Sequence, residues 1–62
     1  MKYYIDQDKD LWAYDEEREQ VRCTDDETSK EWAYCDADGM KIHKEWYNLV
    51  EITEEEYLLE MI

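Results

Sequence analysis

Carboxylates are the residues best placed to do chemistry in this chain. Of its 62 residues, 19 are Asp or Glu and only 7 are Lys or Arg, a formal net charge of −12. Asp6, Asp8 and Asp10 alternate through one short stretch, and Glu17 stands at the twelfth position counted from Asp6. Those are four of the oxygen-ligand positions of a helix–loop–helix calcium loop. The loop's sixth position, where a sharp turn needs glycine, is Leu11, and only five residues precede Asp6, too few for an entering helix. A solvated acidic turn accounts for the same residues, and no metal site or cofactor is expected. Catalysis has equally little to work with. His43 lies between lysines in Lys41-Ile42-His43-Lys44, and Cys35 could approach it across a hairpin. Neither residue has an orienting partner or an oxyanion-binding motif nearby in sequence. The reading is non-enzymatic.

The remaining acids form runs that demand a frame. Asp15-Glu16-Glu17-Arg18-Glu19, Asp25-Asp26-Glu27 and Asp36-Ala37-Asp38-Gly39 all fall between apolar pairs at a spacing of two. The most conspicuous pairs belong to a repeated tripeptide, Trp12-Ala13-Tyr14 and Trp32-Ala33-Tyr34. Tyr3/Ile5, Val21/Cys23 and Met40/Ile42 share the spacing. A period of two is that of a strand with one apolar face. The pattern predicts strands over residues 2–6, 11–15, 18–24, 31–35 and 40–44. Each repeat then becomes a hairpin, with Gly39, the sole glycine, supplying a positive φ in the second turn. A helix over residues 29–38, with Gly39 as its C-cap, is the competing reading of the second repeat.

After Val50/Ile52, a possible further strand, Thr53-Glu54-Glu55-Glu56 has the spacing of a capping box. It predicts a C-terminal helix with Tyr57, Leu58 and Met61 as its apolar stripe. So short a helix must dock, and the aromatic face of the sheet is the expected platform. The expected fold class is therefore α+β: a small antiparallel β-meander of about five strands, residues 1–52, carrying a C-terminal helix, residues 53–62, in one domain.

Composition narrows the partners. Hydrophobic residues make up 44% and aromatic residues 15%, all Trp or Tyr, which favours a folded chain despite 42% charge. The negative charge disfavours direct binding to nucleic acid or to an anionic membrane, and favours a basic protein surface. A sheet without proline has only charge to protect its edges, which leaves homodimerisation through an edge strand open. No targeting or membrane-spanning segment is legible, so a reducing cytoplasm with Cys23 and Cys35 as free thiols is expected, the two on opposite faces.

In a meander, successive turns alternate between the sheet's two ends. Asp6, Asp8 and Asp10 should thus gather with Asp25, Asp26 and Glu27. Asp15, Glu16, Glu17 and Glu19 should gather with Asp36 and Asp38. Two carboxylate rims on a rigid frame could imitate the phosphate rows of a duplex and occupy a basic groove. Exposed aromatics such as Tyr4 and Trp46 would add contact area.

In length and charge the chain resembles small acidic proteins encoded by bacteriophages, including DNA-mimic inhibitors of restriction, repair, CRISPR or nucleoid proteins. That resemblance implies stoichiometric inhibition of a nucleic-acid-binding host or defence protein in the host cytoplasm, and assigns no residue a role. Met1-Lys2-Tyr3-Tyr4 and Val50-Glu51-Ile52-Thr53-Glu54-Glu55-Glu56-Tyr57 are similar to short phrases of phage tail-fibre assembly proteins. The body between them departs from that family. The alternative to the inhibitor is accordingly a phage assembly or adaptor module that works through its aromatic sheet or an edge strand.

Overall fold

The computed structural model describes residues 1–23 and 31–60. Among these residues, five strands and two helices follow one another as β1 (Lys2–Ile5), β2 (Leu11–Asp15), β3 (Gln20–Cys23), β4 (Ala33–Tyr34), α1 (Ala37–Tyr47), β5 (Val50–Ile52) and α2 (Glu54–Glu60). The strands form one antiparallel sheet in the order β4-β3-β2-β1-β5. The first four make a meander, and β5 joins beyond β1. The α+β class expected from the sequence is the class observed, with one helix more than the sequence suggested.

That extra helix replaces the second predicted hairpin. Asp36 has extended backbone and caps α1, its carboxylate accepting the Gly39 N–H at 2.8 Å. Asp38 in the first turn and Lys44 in the last complement the helix dipole. At the other end Asn48 adopts the left-handed conformation (φ 55°), and the Leu49 N–H donates to the Lys44 carbonyl at 3.0 Å. Met40 is buried while Ile42 is 64% exposed. Their spacing of two, which predicts one strand face, falls on different faces of a helix. The spacing that matters is Met40, His43, Tyr47, the three, four and seven of a helix face. Gly39 is neither a turn with positive φ nor a C-cap. It lies in the first turn of α1, where a Cβ would stand 3.2 Å from both the Asp36 Oδ1 and the Cys35 Sγ. Close approach is what calls for glycine there.

α1 carries the chain from one edge of the sheet to the other. Eleven residues give about 16 Å of helix, close to the roughly 19 Å between the first and fifth of five strands. Beneath it lie Tyr4, Trp12, Tyr14, Val21 and Cys35, with Met40 inserted from the helix. Trp12 stacks obliquely on His43 and Tyr47, at centroid distances of 5.7 and 5.0 Å, and the Lys44 ammonium stands 5.1 Å from the centre of the Tyr4 ring.

The opposite face holds Leu11 and Ala13, flanked by Tyr3, Ile5 and Ile52, and it is closed by Tyr57 of α2. Tyr57 packs on Tyr3 at 4.4 Å between ring centres. The C-terminal helix therefore docks on the face away from Trp12 and Tyr14, because α1 already occupies theirs. Its capping box forms as the spacing predicted: Glu56 N–H donates to Thr53 Oγ1 at 3.1 Å, and Glu56 Oε1 accepts the Thr53 N–H at 3.2 Å. Leu58 is 55% exposed and does not belong to the buried stripe, and Met61 lies outside the described residues.

The two tripeptides flank β3 in different registers. Tyr14 and Ala33 both pair with Val21, while Asp15 and Tyr34 both pair with Gln20. An offset of one residue moves side chains to the other face. Tyr14 is thus buried under α1 at 6% exposure, and Tyr34 stands on the opposite face at 73%. The same offset returns Cys35 to the face of Cys23, correcting the expectation of opposite faces. No disulfide joins Cys23 and Cys35. Tyr34, the neighbour of Cys35, pairs with Gln20, three residues along β3 from Cys23, about 10 Å and beyond disulfide reach.

Candidate functional site

The two ends of the sheet use their carboxylates differently. At the β1–β2 end, Asp6 is 8% exposed and is the buried acid of the described core. Its Oδ1 accepts the backbone N–H groups of Asp8 and Asp10 at 2.8 and 2.9 Å, and its Oδ2 accepts the Trp12 indole N–H at 3.0 Å. The turn closes with Asp6 N–H to the Asp10 carbonyl at 3.0 Å and with Lys9 at φ 71°. Asn48 at the end of α1 donates to the Gln7 side chain at 2.9 Å, tying helix to turn. Asp6 is a turn-building residue whose oxygens already serve internal donors.

One carboxylate oxygen from each of Asp6, Asp8 and Asp10 lies within 4.8 Å of the others. A calcium loop does not follow. Glu17, its twelfth position, sits in the β2–β3 turn at the far end of the sheet, a strand length of about 16 Å away. A cation on Asp6 would also have to displace the donors that make the turn. Asp25, Asp26 and Glu27, expected beside this end, lie outside the described residues.

The β2–β3 end is the one that gathers the predicted acids. Asp15 Oδ1 accepts the N–H groups of Glu17 and Arg18 at 3.1 and 3.2 Å, which shapes the turn and leaves Glu16, Glu17 and Glu19 exposed. The Cys35 N–H donates to the Glu19 carbonyl at 2.8 Å, drawing the second acidic stretch against the first. Asp36 and Asp38 then follow at the start of α1. Because β5 runs antiparallel to β1, α2 also begins at this end, bringing Glu54 and Glu55 with it. Among the described residues, the ion pairs at this rim are Lys2–Glu16 at 3.9 Å and Arg18–Asp15 at 4.0 Å, both with exposed cations. Such pairs are weak. Anions dominate.

The phenols and the thiol beside this rim register its field. Tyr34 is held above its ordinary 10.0 first by the charges of Glu19 and Asp36, then by burial. Burial first, then Cys35, Glu19, Asp36 and Glu16, raises Tyr14. For Tyr3 the order is burial, then Glu54 and Tyr57. The Cys35 thiol is pushed above 9.0 by burial and then by Asp36, and its Sγ lies 3.6 Å from the Asp36 carbonyl oxygen it donates to. A nucleophilic cysteine needs the opposite shift. His43 packs against Trp12 and Tyr47 on α1, and the hairpin that would have set it across from Cys35 is absent.

Tyr34, expected on the apolar face of its strand, is instead an exposed ring beside Glu19 and Asp36. Tyr4, expected at the surface, is 2% exposed under α1. Trp46 is 75% exposed, as expected. No helix among the described residues is long and apolar enough to cross a membrane. No protein-family model, curated protein or solved structure matches the chain.

Proposed function

We propose that this chain is a non-enzymatic acidic binding protein whose β2–β3 rim engages a basic, nucleic-acid-binding surface of another protein and blocks it stoichiometrically. The observation that carries this reading is the convergence at one sheet end of Glu16, Glu17, Glu19, Asp36 and Asp38, joined by the first turn of α2. A one-signed field of this kind steers a cationic partner and raises its on-rate. Glu16, Glu17, Glu19 and Asp38 make the contact in this proposal, since Asp15 and Asp36 accept backbone N–H groups of their own turns. Asp6 serves the fold, and Asp8 and Asp10 are secondary. The phage-type inhibitor character of the proposal, and its place in a host cytoplasm, derive from the resemblance in length and charge.

Exposed Tyr34, Ile42 and Trp46 favour one second reading, an assembly or adaptor module. Salt separates the two. Tagged protein is used to capture partners from bacterial lysate, which are eluted along a salt gradient and challenged with duplex DNA. The rim proposal predicts a nucleic-acid-binding protein released at moderate salt, displaced by DNA, and lost after charge reversal at Glu16, Glu17, Glu19 and Asp38. Capture that survives high salt and charge reversal contradicts it and favours the adaptor.

A further inference from the structure

Exposed apolar surface and acidity coincide along β5 and α2. β5 borders the sheet, pairing with β1 on one side and with no described residue on the other. An open strand edge offers N–H and C=O groups to a further strand. Register places Val50 and Ile52 on the α2 face and Glu51 on the α1 face; Val50 is 61% exposed. Leu58 and Leu59 of α2 are 55% and 64% exposed. From β5 to the end, the chain carries Glu51, Glu54, Glu55, Glu56 and Glu60 and no Lys or Arg.

We propose that the free edge of β5 takes an extended cationic segment of a partner protein as an added strand. This rests on the basic-partner reading above and specifies its short-range contact. Charge selects the occupant. A second copy paired edge to edge would bring Glu51 and the α2 glutamates against their own counterparts, and like charges on adjacent strands repel. A segment alternating Lys or Arg with aliphatic residues matches both faces. Its basic side chains meet Glu51, its apolar ones extend the Val50–Ile52 surface, and main-chain hydrogen bonds fix the register.

The test titrates the full ¹⁵N-labelled chain with acetyl-Lys-Val-Lys-Val-Lys-Val-amide and with the same peptide N-methylated at every residue. Both probes carry the same charge, but only the first has residue backbone N–H groups to pair with a sheet edge. The proposal predicts shifts and slowed amide exchange at residues 50–52 with the first peptide, and binding of the second weaker by about tenfold or more. Equal, salt-sensitive binding of both peptides, with shifts confined to residues 15–19 and 36–38, would overturn the edge inference and leave the basic-partner reading standing. Failure of both peptides to bind at low salt would sink the two together. A β5-mediated dimer in sedimentation would overturn the choice of occupant.

Discussion

Trp12-Ala13-Tyr14 and Trp32-Ala33-Tyr34 are the same three residues put to opposite uses. The first lies in β2, between two strands and between two helices, with Trp12 at 6%, Ala13 at 3% and Tyr14 at 6% exposure. In the second, Ala33 and Tyr34 alone form the short border strand β4, with Trp32 just before it at 39% and Tyr34 at 73% exposure. Composition is identical, so the difference is positional. β2 is a central strand whose two faces are each closed by a helix. β4 is an edge, displaced by one residue relative to β2 along their common neighbour β3. A tripeptide's propensity makes it a strand, and its neighbours decide whether it is core or surface.

Truncation should expose this difference most strongly. Trp12→Ala removes a buried indole from beneath α1 and is expected to cost about 3–5 kcal/mol, enough to unfold so small a domain. Trp32→Ala should cost under about 1 kcal/mol in urea denaturation of the two variants side by side. Comparable losses would mean the copies are structurally equivalent.

The carboxylate that anchors the first copy gives the next largest effect. Asp6→Ala orphans the N–H groups of Asp8 and Asp10 and the Trp12 indole, and should lower stability by about 2 kcal/mol or more. Exposed Asp8→Ala should stay within about 0.5 kcal/mol. Chemical denaturation monitored by tryptophan fluorescence checks both.

Behind the second copy, Asp36→Ala removes the α1 cap and should cost about 1 kcal/mol by thermal unfolding. Asp36→Asn or Asp36→Ser, which keep an accepting oxygen, should recover most of it. An unchanged midpoint for Asp36→Ala would argue against α1 beginning there.

The smallest effect is a pH dependence. Tyr14 and Cys35 hold their protons more tightly folded than unfolded, because burial disfavours their anions and nearby carboxylates add repulsion. Raised values of this kind leave stability intact below the ordinary 9.0 of the thiol and 10.0 of the phenol. Stability is then lost as pH climbs through the folded values. Unfolding midpoints should accordingly fall from pH 9 upward, and Tyr14→Phe should flatten the fall. A midpoint that rises over that interval would contradict the burial of these groups.

What could be read from sequence was what local chemistry determines. The strands around Tyr3/Ile5, Trp12/Tyr14 and Val21/Cys23 are short alternating runs with acidic turns between them, and they formed. Thr53 and Glu56 specify their own helix start through bonds three residues apart. Asp36-Ala37-Asp38-Gly39 reads as a hairpin turn, or as the end of a helix capped by Gly39, and the start of a helix at Asp36 is neither, although Asp and Gly suit an N-terminal cap as well as a turn. The match to the first repeat favours a strand wrongly, since the face that forms is Met40, His43 and Tyr47, two of them polar enough not to stand out as core. The register offset between the copies was out of reach, for it depends on Cys35 bonding Glu19 across the sheet. The β2–β3 rim was legible because alternation of turns between two ends is a property of any meander. The burial of Asp6 was not, since its partner, the indole of Trp12, looked like one more apolar ring.

The most direct test of the division between the copies is hydrogen exchange at the three indole N–H groups, resolved in the ¹⁵N spectrum and assigned with Trp→Phe variants. Trp12, bonded to Asp6 beneath α1, should exchange slowly, and Trp32 and Trp46 should exchange rapidly. Equal protection of Trp12 and Trp32 would contradict the account.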